Sequence, residues 1–227
     1  MRPPSWQLTL SGFSTPLTGS EGGTIEQSTR FMAFLDQRMP SAAQPVPVRR
    51  VVFSGDSRAD WWLTPEAPGL VCINAGVPGA SATYLAWRFA AMVEPLRPDV
   101  VVLQLGVNDL VSLSPGRATQ QAVVEAITRI VAEARELGAR VVVTTIFPLA
   151  RGPWADPAAQ AAIVAVNARL SVLAGDNVQV LDSAAVLCGP DGYVYDHYAT
   201  DELHLSAAGY RALNAALLPL LSGEAGG

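Results

Sequence analysis

Ser57, Gly76, Asn108, Asp201 and His204 stand in four short blocks along the chain: Gly55-Asp56-Ser57-Arg58, Asn74-Ala75-Gly76, Gly106-Val107-Asn108-Asp109 and Asp201-Glu202-Leu203-His204. A serine hydroxyl becomes a nucleophile when a base takes its proton. An imidazole is such a base, and a carboxylate three residues before it can face it across a turn, hold its tautomer and stabilise its charged form. Gly76 offers a backbone N–H that a ligand can approach closely, and Asn108 a side-chain amide donor. Donors of that kind stabilise the oxyanion that develops when a carbonyl is attacked. The chemistry these residue types share is acyl transfer.

Each residue has a competing use. Ser57 can cap a helix, Gly76 can be a turn glycine, and Asn108 can cap a loop. The chain has only two histidines. His197 follows Asp196 directly, and adjacent residues point in different directions, so Asp196 and His197 make a poor pair; His197 is expected at a surface or pocket rim. Asp56 and Asp109 are expected to hydrogen-bond backbone groups of the site loops and to take no part in the chemistry. Trp61 and Trp62 follow the serine and can line an acyl or alcohol pocket or belong to the core. Trp154, with Arg151, is a similar candidate for a pocket wall.

These residues need a frame. Strands are predicted at 50–54, 70–74, 99–105, 140–146 and 178–181. Helices are predicted at 58–62, 81–94, 118–137, 157–174 and 206–221. Val100-Val101-Val102-Leu103 and Val141-Val142-Val143 are continuous apolar runs, as in strands buried on both faces of a parallel sheet. Asp156-Pro157 starts a helix, Gly138 stops one, and Ser206 can cap the last. Alternating strands and helices imply right-handed crossovers and a doubly wound parallel sheet. Ligands bind beyond the carboxyl ends of such strands. Ser57, Gly76 and Asn108 follow the first three strands and should share one rim, to which the Asp201–His204 loop folds back. Residues 1–23 are rich in Gly, Ser, Thr and Pro, and a helix is predicted at 24–39. Residues 1–48 are thus an arm and helix packing on a main domain at 49–227.

With these blocks in this order, from about Arg50 to Leu221, the chain resembles the SGNH hydrolases, the GDSL-like esterase and lipase superfamily. Phe147-Pro148, Asn167, Asp182, Leu203-His204-Leu205-Ser206 and Gly209-Tyr210 resemble its lysophospholipase-like and platelet-activating-factor acetylhydrolase-like branch. The resemblance implies a flavodoxin-like three-layer α/β/α sandwich with a five-stranded parallel sheet. It implies a serine ester hydrolase with Ser57, Asp201 and His204 as the catalytic triad. The implied oxyanion hole is the N–H groups of Ser57 and Gly76 with the Asn108 side chain. Arg58 departs from the small aliphatic or leucine usual at its position, which leaves the implied nucleophile intact and the shape of the local pocket open. Short motif-bearing loops favour short acyl chains. Thioester hydrolysis or acyl transfer would use the same site, and a carbohydrate- or lipid-binding module on the same fold would not need an intact triad.

Composition narrows the rest. The 227 residues are 50% hydrophobic, enough for one large core. A net charge of −5 and an absence of basic stripes argue against nucleic acid as partner. All 15 basic residues are arginine, so no lysine serves as a Schiff base or phosphate-loop residue. Cys72 and Cys188 lack metal-type spacing and are expected as free thiols. No metal or organic cofactor is expected. The apolar runs are strand-sized, far short of a membrane span, and no signal peptide is visible. The expected partner is a small-molecule ester, and the expected location is the cytoplasm.

Overall fold

A computed structural model describes residues 48–111, 119–153 and 155–222. The predicted helix at 24–39, all of the arm but its last residue, and Trp154 lie outside them. Five strands form: β1 (Arg49–Gly55), β2 (Leu70–Gly76), β3 (Val100–Gln104), β4 (Arg140–Thr144) and β5 (Val178–Leu181). All pair in parallel, in the order β2-β1-β3-β4-β5. The chain steps from β1 to β2, then returns across β1 to β3. That reversal is the switch point at which doubly wound sheets open a crevice.

Among the described residues seven α-helices accompany the strands: α1 (Ser57–Asp60), α2 (Ala82–Val93), α3 (Val107–Leu110), α4 (Gln120–Glu136), α5 (Pro157–Leu170), α6 (Ser183–Leu187) and α7 (Ala207–Ser222). Polar caps start most of them. Ser81 accepts from the Tyr84 N–H, Thr119 from Ala122, Asp156 from Ala158 with Pro157 next, and Asp182 from Ala184 and Ala185. Ser206 accepts from the Gly209 N–H at the start of α7. At its other end, Arg49 and Arg140 donate to the carbonyl of Leu221, where cations also suit the helix dipole. The sequence pattern missed α3 and α6, which are too short to show a helical period.

Strand alternation divides the core. Val52, Val101, Leu103, Val141 and Val143 face one side, with Leu85, Phe89, Ile127, Ile130 and Ile163 from α2, α4 and α5. Val51, Phe53, Val100, Val102 and Val142 face the other, with Trp62 and with Tyr210, Leu213, Leu217 and Leu221 of α7. The result is the expected flavodoxin-like three-layer α/β/α sandwich. Register aligns its rim: Gly55 of β1 pairs with Gly76 of β2 and with Gln104 of β3.

Candidate active site

The nucleophile block sits where β1 becomes α1. A side chain at Gly55 would overlap the Gln104 carbonyl oxygen, so only glycine allows β1 and β3 to stay paired there. The Asp56 N–H then bonds that carbonyl at 3.1 Å. The Asp56 carboxylate caps α1 through the Arg58 N–H at 2.9 Å. Ser57 is the first residue of α1, and among the described residues no acceptor meets its N–H.

The histidine loop meets it from 147 residues away. His204 Nε2 lies 3.0 Å from Ser57 Oγ. Its Nδ1 lies 2.9 Å from Asp201 Oδ2. Asp201 Oδ1 also accepts the Leu203 and His204 N–H groups, each at 2.7 Å, so the carboxylate shapes the turn that presents the ring. Burial alone would raise the Asp201 pKa; hydrogen bonds from the His204 ring and from the two N–H groups outweigh it and hold the carboxyl below its usual range. The loop is closed by the bonds Thr200 N–H to His204 carbonyl and Ser206 N–H to Tyr198 carbonyl.

Gly76 and Asn108 reach the same rim, Gly76 with its one donor engaged and Asn108 with one of its two amide hydrogens engaged. The Gly76 N–H bonds Asn74 Oδ1 at 2.9 Å. Asn108 Nδ2 bonds the Ala80 carbonyl at 3.0 Å, which engages one of the two amide hydrogens. Gly76 has a further reason to be glycine, since a Cβ there would overlap the backbone of Asp60 in α1. Asp109 stays out of the crevice: its carboxylate holds the Ala82 N–H at the start of α2, and burial raises its pKa.

The Arg58 side chain is wholly buried and exposes no surface to a pocket. Nε donates to the Leu203 carbonyl at 2.6 Å and Nη1 to the Phe147 carbonyl. The guanidinium thus ties the serine turn to the histidine loop. Burial lowers the Arg58 pKa to about 10 against the charge of Asp56. Burial likewise pushes Asp56 up to about 6, opposed by the Arg58 guanidinium and by the N–H groups of Arg58 and Gly106. The Tyr210 hydroxyl bonds the Arg58 carbonyl at 2.9 Å.

The two adjacent tryptophans part company. Trp62 is core, packed on Phe53, Phe147 and Tyr210, with its indole N–H on Asn214. Trp61 is 46% exposed and lies by the site, stacked on His204. His197 stacks with Tyr195 and Tyr198 instead of joining Ser57. Arg151 pairs with Asp191 and lies over Tyr193.

A family model for GDSL-like lipases and acylhydrolases matches residues 42–212. The chain belongs to this family. The acylhydrolase is thus an ester hydrolase with a small-molecule ester as substrate. It is 32% identical over 190 residues to the platelet-activating factor acetylhydrolase IB subunit alpha1 of Bos taurus, covering 78% of each chain. The Homo sapiens subunit matches equally, and the Bos taurus alpha2 subunit is 29% identical over 168 residues, 70% of each chain. In structure the acylhydrolase is similar to a GDSL-like lipase from Bacteroides thetaiotaomicron, with TM-score 0.67, 22% identity, and 86% and 97% of the two chains covered. An acetyl-xylooligosaccharide esterase mutant from Geobacillus aligns with TM-score 0.58, 19% identity and 77% and 94% coverage. At these identities the two structures speak for the fold.

Asn74, which precedes Gly76 by two residues, has a larger part in the acylhydrolase than its sequence signals. Its Nδ2 holds the carbonyls of Ala59 and Asp60 at 2.8 and 3.0 Å while Oδ1 takes the Gly76 N–H. It fastens α1 to β2. Asn167 does the same for the loop after β4, exchanging two hydrogen bonds with the Ile146 backbone. Both thiols are free. Among the described residues no three potential ligands gather to hold a metal, and no helix is long and apolar enough to cross a membrane.

Proposed function

We propose that this acylhydrolase cleaves carboxylic esters through an acyl-enzyme on Ser57. The observation that carries this reading is the continuous chain from Ser57 Oγ to His204 Nε2 at 3.0 Å and from His204 Nδ1 to Asp201 at 2.9 Å. In the first half-reaction His204 takes the hydroxyl proton as Oγ attacks the carbonyl carbon. The oxyanion is met by the Ser57 N–H and an Asn108 amide hydrogen, neither of which meets another acceptor among the described residues, with Gly76 joining when it exchanges Asn74 Oδ1 for the substrate. The imidazolium then protonates the departing alcohol. In the second half-reaction His204 activates water against the acyl carbonyl, and Ser57 recovers its proton.

Water as acceptor is supported by access: the side chains of His204 and Asp201 are 20% and 43% exposed. A short acyl chain is supported by the relatives named as platelet-activating factor acetylhydrolase subunits. A fluorophosphonate should label Ser57 and nothing in Ser57→Ala, and Ser57→Ala should fold normally while losing p-nitrophenyl acetate hydrolysis. Retention of a tenth of the wild-type rate would defeat the assignment. Across p-nitrophenyl esters from acetyl to palmitoyl, turnover should be fastest at the short end; faster cleavage of palmitate than of butyrate would point to a lipase-like groove.

A further inference from the structure

The indole of Trp61 stacks on the His204 ring with centroids 4.2 Å apart and planes 25° from parallel. Local geometry makes this contact specific. Trp61 follows Ser57 by four residues, and its N–H bonds the Ser57 carbonyl at 2.9 Å. Residues at that spacing share a helix face. Ser57 therefore meets the imidazole edge at Nε2 while Trp61 covers the ring face. Asn74 fixes the carbonyls of the two residues just before Trp61, which anchors the backbone that carries the indole. Burial does not account for its position, since nearly half of this large apolar side chain faces water.

We propose that Trp61 is a positioning residue that acts through His204, its indole face stabilising the imidazolium formed as Ser57 attacks. The inference rests on the acyl-enzyme reading above. As the Oγ–carbon bond forms, the hydroxyl proton passes to Nε2, the carbonyl π pair moves to oxygen, and the ring gains a positive charge. An aromatic face attracts a cation through its quadrupole. The ring is neutral again once the proton has gone to the leaving oxygen and the carbon–oxygen bond has broken. The indole thus favours the charged state over the ground state, and only such a difference speeds the step. Two other charged groups bear on the ring: the Asp201 carboxylate at Nδ1, which favours the cation, and the Arg58 guanidinium at the Leu203 carbonyl, which opposes it.

The test compares Trp61→Leu and Trp61→Phe with Ser57→Ala. Trp61→Leu should lower kcat by about 3- to 30-fold, by the same factor for acetyl and butyryl esters and with a smaller change in KM. Trp61→Phe should restore most of the loss. An unchanged kcat, or a KM that rises with acyl length and no aromatic rescue, would make Trp61 a pocket wall and overturn the proposal. A second measurement does not need the leucine variant to fold. Imidazolium quenches a stacked indole, so acidification should quench the emission given by the difference between wild type and Trp61→Phe. The same difference taken in a His204→Gln background should show no quenching; equal quenching in both would overturn the contact. Full activity in Ser57→Ala would instead defeat the acyl-enzyme reading itself.

Discussion

Arg58 Nε and the carbonyl oxygen of Leu203 lie 2.6 Å apart inside the protein, joining the residue after Ser57 to the residue before His204. The acyl-enzyme mechanism needs the serine and histidine within hydrogen-bond reach, and this buried link helps hold them there. Removing one member of a buried charge pair leaves the other uncompensated, at a cost of about 3–5 kcal/mol. Arg58→Met should therefore destabilise the fold by that order in urea titration and slow turnover. Arg58→Met with Asp56→Asn should lose less than the sum of the two single changes. Strict additivity would mean that the two charges do not interact.

The histidines separate cleanly by environment. His204→Ala should be nearly inactive, whereas His197→Ala should keep most activity, since among the described residues the His197 ring packs against Tyr195 and Tyr198. The reverse pattern in p-nitrophenyl acetate assays would move the chemistry to the Asp196–His197 pair.

Asn108→Ala should reduce kcat by about 100- to 1000-fold with little change in KM, the pattern of a donor used on the oxyanion. A rise in KM alone would make Asn108 a ground-state binding group.

Gly76→Ala introduces a methyl group into the backbone of α1. It should cost about 1–3 kcal/mol as an overpacked site does and displace Ser57, so stability and labelling by fluorophosphonate should fall together. Normal labelling of a normally stable variant would show that α1 can move aside.

Asp56 and Asp201 should give opposite pH signatures in stability. The folded Asp56 carboxyl titrates at about 6, above its ordinary 3.8. Between those values the folded chain keeps a proton that the unfolded chain has lost, so stability falls as pH rises through the window and the cost is complete above about 6. The urea midpoint of the wild type should drop relative to Asp56→Asn over that range and then run parallel to it. Asp201 is shifted down. Its contribution should be full above about 4 and disappear as pH falls through its folded value, closing the gap to Asp201→Asn. Parallel curves at all pH would refute both assignments.

What could be read in advance depended on how local the signal was. The apolar runs of β3 and β4 are local patterns and form strands as expected. The three-residue spacing of Asp201 and His204 is local too, and the structure brings the two side chains together. Arg58 was opaque because arginine is rarely fully buried; its partners at Phe147 and Leu203 are 89 and 145 residues away. Asn74 was opaque for the same reason, since its amide serves carbonyls on another element. Trp61 and Trp62 could not be told apart by type. Trp61 closes α1 as its C-terminal cap and Trp62 lies just beyond the helix, so no periodic pattern told which would enter the core and which would reach the imidazole.

The strand order has a consequence for synthesis. After β2, each new strand joins the sheet at its growing edge, β3 on β1, β4 on β3 and β5 on β4. A nascent chain folding from its N-terminal side can extend the sheet in the order of translation. The histidine loop and α7 follow every strand. A ribosome-bound chain with all five strands laid down would still lack its base. Docking of α7, with Arg49 and Arg140 taking its last carbonyls, then closes the fold behind the arriving histidine. A chain ended before Asp201 would therefore hold Ser57 on a finished sheet with neither His204 nor Asp201 to meet it.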